Sequence, residues 1–283
     1  MATFYNRATL SYNGNLINSN VTAGEILETL SMTKTAVTPT YNRNDRITYI
    51  INLVNSGSAP FTGLTLTDDL GAYAFNGGTV VPLDYRTGSV RYFVNGVLQT
   101  APTVSAENPL TITGISVPAN GNTTVVYETD ANEYAPLAAG AEITNTITAA
   151  GTGVTPAITA DETVTAAAAP NLSIVKALSP TTVGENGVIT YTLTILNTGN
   201  TAAAASGDLF VTDTFDPALS NISVTLNGSA FPATSYTYNE ATGVFTTNPG
   251  AISVPAASYT QDPATGVWTV DPGTTVITIT GTL

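Results

Sequence analysis

The sequence has no cysteine and no histidine. That excludes disulfides, a thiol nucleophile, an imidazole base and the commonest zinc sites, and with them serine triads and zinc hydrolases. Cationic residues are scarce: seven Lys plus Arg stand against twenty Asp plus Glu, a formal charge of −13. Neutralising phosphates takes a basic patch, so this balance argues against nucleic acid and anionic membrane surfaces as partners and is read as a solubilising charge. The stretch Met1 to Asn6 has neither a basic n-region nor an apolar h-region, so no signal peptide is visible. The stretch Thr278 to Leu283 has no membrane tail, so no membrane insertion is expected. Helical apolar periodicity is also missing, because no segment sustains it.

Thr, Val, Ile, Tyr, Gly and Asn are abundant, and these are strand and turn formers. Alternating runs recur at Arg46 to Leu53 and at Val188 to Ile195. The fold expected is all-β, and 283 residues allow about two domains with ordinary cores.

An internal repeat organises the chain. From Lys34 to Tyr49 is 49 − 34 = 15 positions, and from Lys176 to Tyr191 is 191 − 176 = 15. The match continues through Asn55-Ser56-Gly57 against Asn197-Thr198-Gly199. After a short insertion around Ala202 to Asp208, Leu66 to Leu70 pairs with Val211 to Phe215. Val94-Asn95-Gly96 meets Leu226-Asn227-Gly228, and Pro118 to Tyr127 meets Pro272 to Ile279. The first copy runs on into a strand holding Ile143 to Ala149, whereas the second stops at Leu283. A segment like the missing one opens the chain at Phe4 to Ser11. Asn6 to Lys34 and Asn145 to Lys176 share one order: strand, Gly-containing turn, second alternating strand, lysine strand. The chain reads as two units, circularly permuted and cut before a final strand. The divisions expected are a donor strand and connector at 1–30, a complete domain at 31–168 and an acceptor domain lacking its last strand at 169–283. The donor residues are Phe4, Tyr5, Arg7, Ala8, Thr9 and Leu10, beside Asn6. A sheet without its last strand leaves backbone groups unpaired, and a strand from another copy would satisfy them. With donor and groove at opposite ends the contact is heterologous, giving a head-to-tail homopolymer unless a ring closes.

The motifs Asn55-Ser56-Gly57 with Leu66-Thr67-Asp68, and Asn197-Thr198-Gly199 with Val211-Thr212-Asp213, resemble the conserved-repeat, immunoglobulin-like family of bacterial surface proteins known as domain of unknown function eleven. Its order of lysine strand, proline turn, Tyr-Thr strand, Asn-Thr-Gly turn and Thr-Asp strand occurs in both copies, covering most of residues 30–283. The resemblance implies an immunoglobulin-like sandwich in each unit and a place in a bacterial surface stalk, not in itself a polymer.

Two lysines, Lys34 and Lys176, occupy the same repeat position in apolar strands. A lysine buried there loses its charge readily and becomes a nucleophilic amine. An Asn on a final strand would be the electrophile, with a buried protonated carboxyl polarising the amide and moving the proton. The product is a Lys–Asn isopeptide bond with loss of ammonia. This resembles the self-crosslinking immunoglobulin-like domains of Gram-positive pili and collagen-binding adhesins. The candidates are Lys34 with Asn145 and the acid Asp68 inside one molecule, and Lys176 with the acid Asp213 and Asn6 of an incoming molecule. Asp68 and Asp213 are preferred to Glu128, for which the second unit has no matching acid. The plainer alternatives are a solvent-facing strand lysine, an ordinary Asn of a Thr-rich strand and an Asp capping a turn. No acidic stretch has calcium-loop spacing, so no metal and no cofactor are expected. Asn20-Val21-Thr22 and Asn221-Ile222-Ser223 read as chance triplets and Trp268 as a core or edge aromatic.

The function expected is therefore structural, not enzymatic: a subunit of an extracellular fibre on a cell or spore surface, a pilus or a spore appendage. Its partner is itself, with room for a separate tip or anchor protein. The alternative is a fragment of a tandem-repeat stalk or adhesin acting as a binding or spacer module.

Overall fold

The computed structural model of the chain describes residues 2–26 and 29–283. Residue 1 and connector residues 27 and 28 lie outside the described residues. The structure is all-β, with strands joined by turns and two short 3-10 segments, Ala205–Gly207 and Ala233–Ser235. Two separate hydrophobic cores form along it.

The first core lies between two sheets. One orders Val97–Leu98, Arg91–Val94, Gly121–Ala131, Arg46–Asn55 and Leu30–Ala36. The other orders Thr103–Ser105, Leu110–Val117, Phe61–Asp68, Glu142–Gly151, Val154–Ala166 and Thr40–Tyr41. Period-two alternation decides which side chains go inside. In Arg46–Asn55 it sends Ile47, Tyr49, Ile51 and Leu53 into the core. In Glu142–Gly151 it sends in Ile143, Asn145, Ile147 and Ala149, so a polar residue takes a core position. Glu142–Gly151 is paired on both sides, to Phe61–Asp68 and to Val154–Ala166.

The second unit repeats this plan incompletely. Leu172–Ser179, Val188–Asn197, Gly273–Thr282 and Ser220–Leu226 follow the order of the first unit's lysine-bearing sheet. The facing sheet has three strands, with Thr212–Thr214 paired to Val244–Thr247 on one side only. Among the described residues no strand lies along its other edge. The repeated Asn-Ser/Thr-Gly motif has the same structure twice. Asn55 Nδ2 donates to Ala59 O and Asn55 Oδ1 accepts from Gly57 N; Asn197 Nδ2 donates to Thr201 O and Asn197 Oδ1 accepts from Gly199 N. Each buried asparagine closes the turn that follows its strand.

The N-terminal residues form a hairpin that stands clear of both cores. Ala2–Asn6 pairs with Thr22–Ile26 and Thr9–Tyr12 with Asn15–Asn18, around Asn13-Gly14. Both turn residues have positive φ, 49° and 79°, as a two-residue turn matching strand twist requires. The expected single donor strand is thus one limb of a two-stranded element, interrupted between Asn6 and Thr9.

The second unit also has a hairpin with no counterpart in the first, Ser258–Gln261 paired with Trp268–Asp271. It reaches across to the first unit. Trp268 N donates to Glu133 O, Gln261 Nε2 donates to Tyr73 Oη, and Arg43 Nη2 donates to Trp268 O. Tyr259 and Val270 pack against the first core. Trp268 is therefore a half-buried residue of this clasp.

Candidate functional site

Lys34 lies on the strand Leu30–Ala36, where alternation turns Leu30 and Lys34 inward. Its side chain is fully buried, with Nζ 2.7 Å from Asp68 Oδ2 on the opposite sheet. Asp68 ends the strand Phe61–Asp68 with its carboxylate also buried. Its Oδ1 accepts from Leu70 N at 2.9 Å, and its Oδ2 accepts from both Lys34 Nζ and Tyr127 Oη. Asp68 pairs with Ile147, so Asn145, two residues along the same strand, lies diagonally across from Asp68 on the same inward face.

Asn145 is fully buried, and neither Oδ1 nor Nδ2 has a hydrogen-bond partner among the described residues. Leaving a buried amide unpaired costs about 1–3 kcal/mol per group. The Tyr49 hydroxyl, also buried, is orphaned in the same way. The hydroxyls of Tyr49 and Tyr127 both lie within electrostatic reach of the Asn145 side chain but fall short of hydrogen-bond geometry to it. The two rings stack at 5.6 Å, and Lys34 Nζ sits 4.8 Å from the Tyr49 ring centre.

Burial pushes the Lys34 amine below its ordinary value, with Asp68 acting in opposition. It pushes the Tyr49 and Tyr127 hydroxyls up, away from ionisation. A desolvated amine from one sheet, with a carboxyl in contact with it and an unpaired amide on the facing sheet, supplies the components of an acyl-transfer reaction. Glu128 is elsewhere, on the surface, with Oε2 3.5 Å from Arg46 Nε and 3.6 Å from Arg86 Nε. Asp69 accepts from Gly71 N and Thr146 N and holds the turn beside the site.

The second unit builds the same pair in the open. Lys176 Nζ lies 2.8 Å from Asp213 Oδ1 and 2.7 Å from Oδ2, the second contact without hydrogen-bond alignment. The Lys176 side chain is 41% exposed where that of Lys34 is 0%. Leu172, the counterpart of Leu30, is 40% exposed against 7%. Ile174, Val175 and Phe210 are exposed as well, and a cavity of about 180 Å³ is lined by Leu172, Ile174, Ile195, Leu209, Phe210 and Val211. In the first unit this space, beside the acid strand, is occupied by Glu142–Gly151 and Val154–Ala166.

Asn6 is exposed on the free hairpin, where it pairs with Thr22, and the single chain leaves it apart from Lys176. Its position along the hairpin matches that of Asn145. The first unit's hairpin turns at Thr152-Gly153 and the N-terminal one at Asn13-Gly14, so the spacings are 152 − 145 = 7 and 13 − 6 = 7. Superposing the asparagines puts Phe4, Ala8 and Leu10 where Ile143, Ile147 and Ala149 are buried, and Tyr5, Arg7 and Thr9 on the outward face. Phe4 and Leu10 are 54% and 62% exposed on the free hairpin.

The two tyrosines were not singled out from the sequence. The signal for one was present, since Tyr49 and Tyr191 stand at the same distance from the two lysines. Tyr127 had none, because its repeat counterpart is Ile279, the residue paired with Tyr191 as Tyr127 is with Tyr49.

No protein-family model and no curated protein matches the sequence, so the conserved-repeat resemblance stands on its twice-repeated motif order alone. Among solved structures, the chain is similar to BcpA, the major pilin subunit of Bacillus cereus, at 13% identity over 96% of this chain and 73% of that one, with a TM-score of 0.37. It is similar to domains D2 and D3 of the major pilin SpaD from Corynebacterium diphtheriae at 14% identity, over 60% of this chain and 71% of that one, TM-score 0.37. A family 123 glycoside hydrolase from Clostridium perfringens aligns at 11% identity over 49% of this chain, TM-score 0.32; the chain spans 27% of that enzyme's length. Likenesses this low carry no functional conclusion, which rests instead on the residues. Among the described residues no helix is long and apolar enough to cross a membrane.

Proposed function

We propose that this chain is the structural subunit of an extracellular bacterial fibre, a pilus or a spore appendage, built from two immunoglobulin-like units. Copies join head to tail when the N-terminal hairpin of one fills the open edge of the second unit of another. The observation supporting this most directly is the repeat comparison. The first unit contains a hairpin with Asn145 seven residues before its turn, the second unit has an open edge at the equivalent place, and the free hairpin carries Asn6 at the same spacing. Docking would bury Phe4 and Leu10 against the exposed apolar residues of the groove, each worth about 1.5–3 kcal/mol. The covalent lock is a Lys176–Asn6 isopeptide bond assisted by Asp213, and Lys34–Asn145 with Asp68 is its internal equivalent. In each, the lysine amine displaces ammonia from the asparagine amide, leaving a secondary amide.

The test is denaturing electrophoresis of the concentrated protein after boiling, with intact mass measured on the smallest band. The expected result is a ladder of multimers, each band lighter than the sum of its subunits by one ammonia per bond. A single band of unmodified mass would overturn the crosslink. Unchanged assembly after removal of residues 2–26 would overturn hairpin exchange and favour a stalk module completed by neighbouring sequence.

A further inference from the structure

Two hydroxyls adjoin the Asn145 amide, and they differ in what they have left to donate. Tyr127 Oη already donates its proton to Asp68 Oδ2. Tyr49 Oη is buried and has no partner, and within reach of it lies the Asn145 amide, whose Oδ1 and Nδ2 both lack one. A phenol O–H within reach of an amide without partners can donate to its carbonyl oxygen, most strongly when that oxygen gains negative charge. The repeat makes the same selection. Of the two tyrosines, only Tyr49 has a counterpart beside the second lysine, Tyr191, because Ile279 replaces Tyr127. Lys176 Nζ lies 4.5 Å from the Tyr191 ring centre, against 4.8 Å for Lys34 and Tyr49. Both units thus retain the lysine, the acid and this one tyrosine.

We infer that Tyr49 and Tyr191 are catalytic residues of the two crosslinking sites, each donating its hydroxyl hydrogen to the amide oxygen of the reacting asparagine. The inference rests on the isopeptide reading above. As Nζ of the neutral lysine bonds to the asparagine Cγ, the carbonyl electron pair moves onto Oδ1, where the tyrosine O–H holds the oxyanion. The aspartic acid, protonated while the amine is neutral, delivers its proton to Nδ2 and takes one back from Nζ. The Cγ–Nδ2 bond then breaks, ammonia departs, and the carbonyl re-forms. The tyrosine keeps its proton throughout, and no oxidant or other reactant is consumed. Tyr127 has the separate task of positioning Asp68.

Two full-length variants isolate the second site. N6A retains the groove but cannot donate an electrophile, and K176A retains the donor asparagine but not the nucleophile. Mixed, they should give a single covalent dimer whose formation is followed on boiled gels and by mass. Adding Y191F to the N6A acceptor, with donor at saturation so that docking affinity drops out, should slow the reaction by about 10²–10³-fold, as for loss of one oxyanion donor. An unchanged rate would overturn the inference. If the Tyr191-bearing acceptor forms no dimer, the crosslink reading itself fails, and the tyrosine's role with it. Y49F gives an independent reading at the first site: ammonia loss, timed by intact mass in pulse-labelled protein with strand content unchanged by circular dichroism, should lag the wild type to a similar degree. Equal timing would likewise overturn the role.

Discussion

Replacing Asn145 with Ala removes the electrophile proposed for the internal site while leaving the Lys34–Asp68 pair in place. The size of the effect follows from the chain the bond would close. Lys34 and Asn145 are 145 − 34 = 111 positions apart, a loop for which a crosslink stabilises by about 5 kcal/mol through loss of unfolded-state entropy. The first unit, residues 30–166, contains 166 − 30 + 1 = 137 residues. At about 2.1 cal/mol/K per residue its unfolding entropy is about 0.29 kcal/mol/K, so N145A should lower its midpoint by about 17 °C. K34A should go further, since it also leaves the Asp68 carboxylate buried without its cation, about 3–5 kcal/mol in comparable pairs. The assay is scanning calorimetry of the two units' transitions, beside intact mass. The wild type should be lighter by one ammonia per internal bond, N145A should have its full calculated mass, and the order of stability should be wild type, N145A, K34A. A first-unit transition in N145A within a few degrees of the wild type would refute the reasoning, as would a wild-type chain of full mass.

Other outcomes follow from the same geometry. K176A or N6A should abolish the boil-resistant ladder while fibres held by hairpin docking persist in native gels and micrographs; K34A should leave the ladder intact. Deleting residues 2–26 should yield monomers that bind an apolar dye at the groove of Leu172, Ile174 and Phe210, and full-length monomer added back should displace it. In N145A, where Lys34 stays free, urea unfolding should show stability rising with pH between the lowered folded value of the amine and its ordinary 10.5, because in that window the unfolded chain holds a proton that the folded one has released. Above that window the trend should reverse, since the buried Tyr49 and Tyr127 hydroxyls hold protons that unfolded tyrosines lose. W268A should loosen the clasp, so that the two units unfold in more widely separated calorimetric transitions.

Period-two alternation made the all-β class legible from sequence, and the repeat aligned the lysine-bearing sheets of the two halves strand by strand. The repeat spacing paired Lys34 with Lys176 and Asp68 with Asp213, while the inward facing of Lys34 followed only from the structure, since alternation alone allows either face. The clasp of Ser258–Gln261 and Trp268–Asp271 was not legible, since it is an insertion in one repeat and its partners, Tyr73, Glu133 and Arg43, are distant in sequence. The hairpin form of the donor was only half legible. Asn13-Gly14 announces a turn, but whether the second limb would pair with the first or join a sheet depends on what else is present. Nor did sequence reveal the orphaned state of Asn145 and Tyr49, which depends on where every neighbouring donor points.

The same geometry decides whether a hairpin could fill the groove of its own chain. It leaves the first unit beside Leu30, at the end where Ser56 N donates to Thr29 O, whereas the second unit joins at the opposite end, around Tyr41 and Arg43. Between those ends runs the ten-residue strand Arg46–Asn55, about 33 Å long. In the first unit the base of the inserted hairpin, Thr165 and Ala166, lies against Thr40 and Tyr41, at the end away from Asn55. The equivalent place in the second unit is the Val188 end of Val188–Asn197, one further strand length from the junction. With the two ten-residue strands laid end to end, a hairpin folding back on its own chain would carry its base about 65 Å. The connection from Ile26 to Leu30 is four residue steps, with a reach of about 14 Å. Four residue steps fall short of that span, which favours another copy as the occupant proposed for the groove. In the proposed assembly the contact pairs two different surfaces, so each joined copy would present a fresh groove at one end and a fresh hairpin at the other, and growth would stop only where a ring closed.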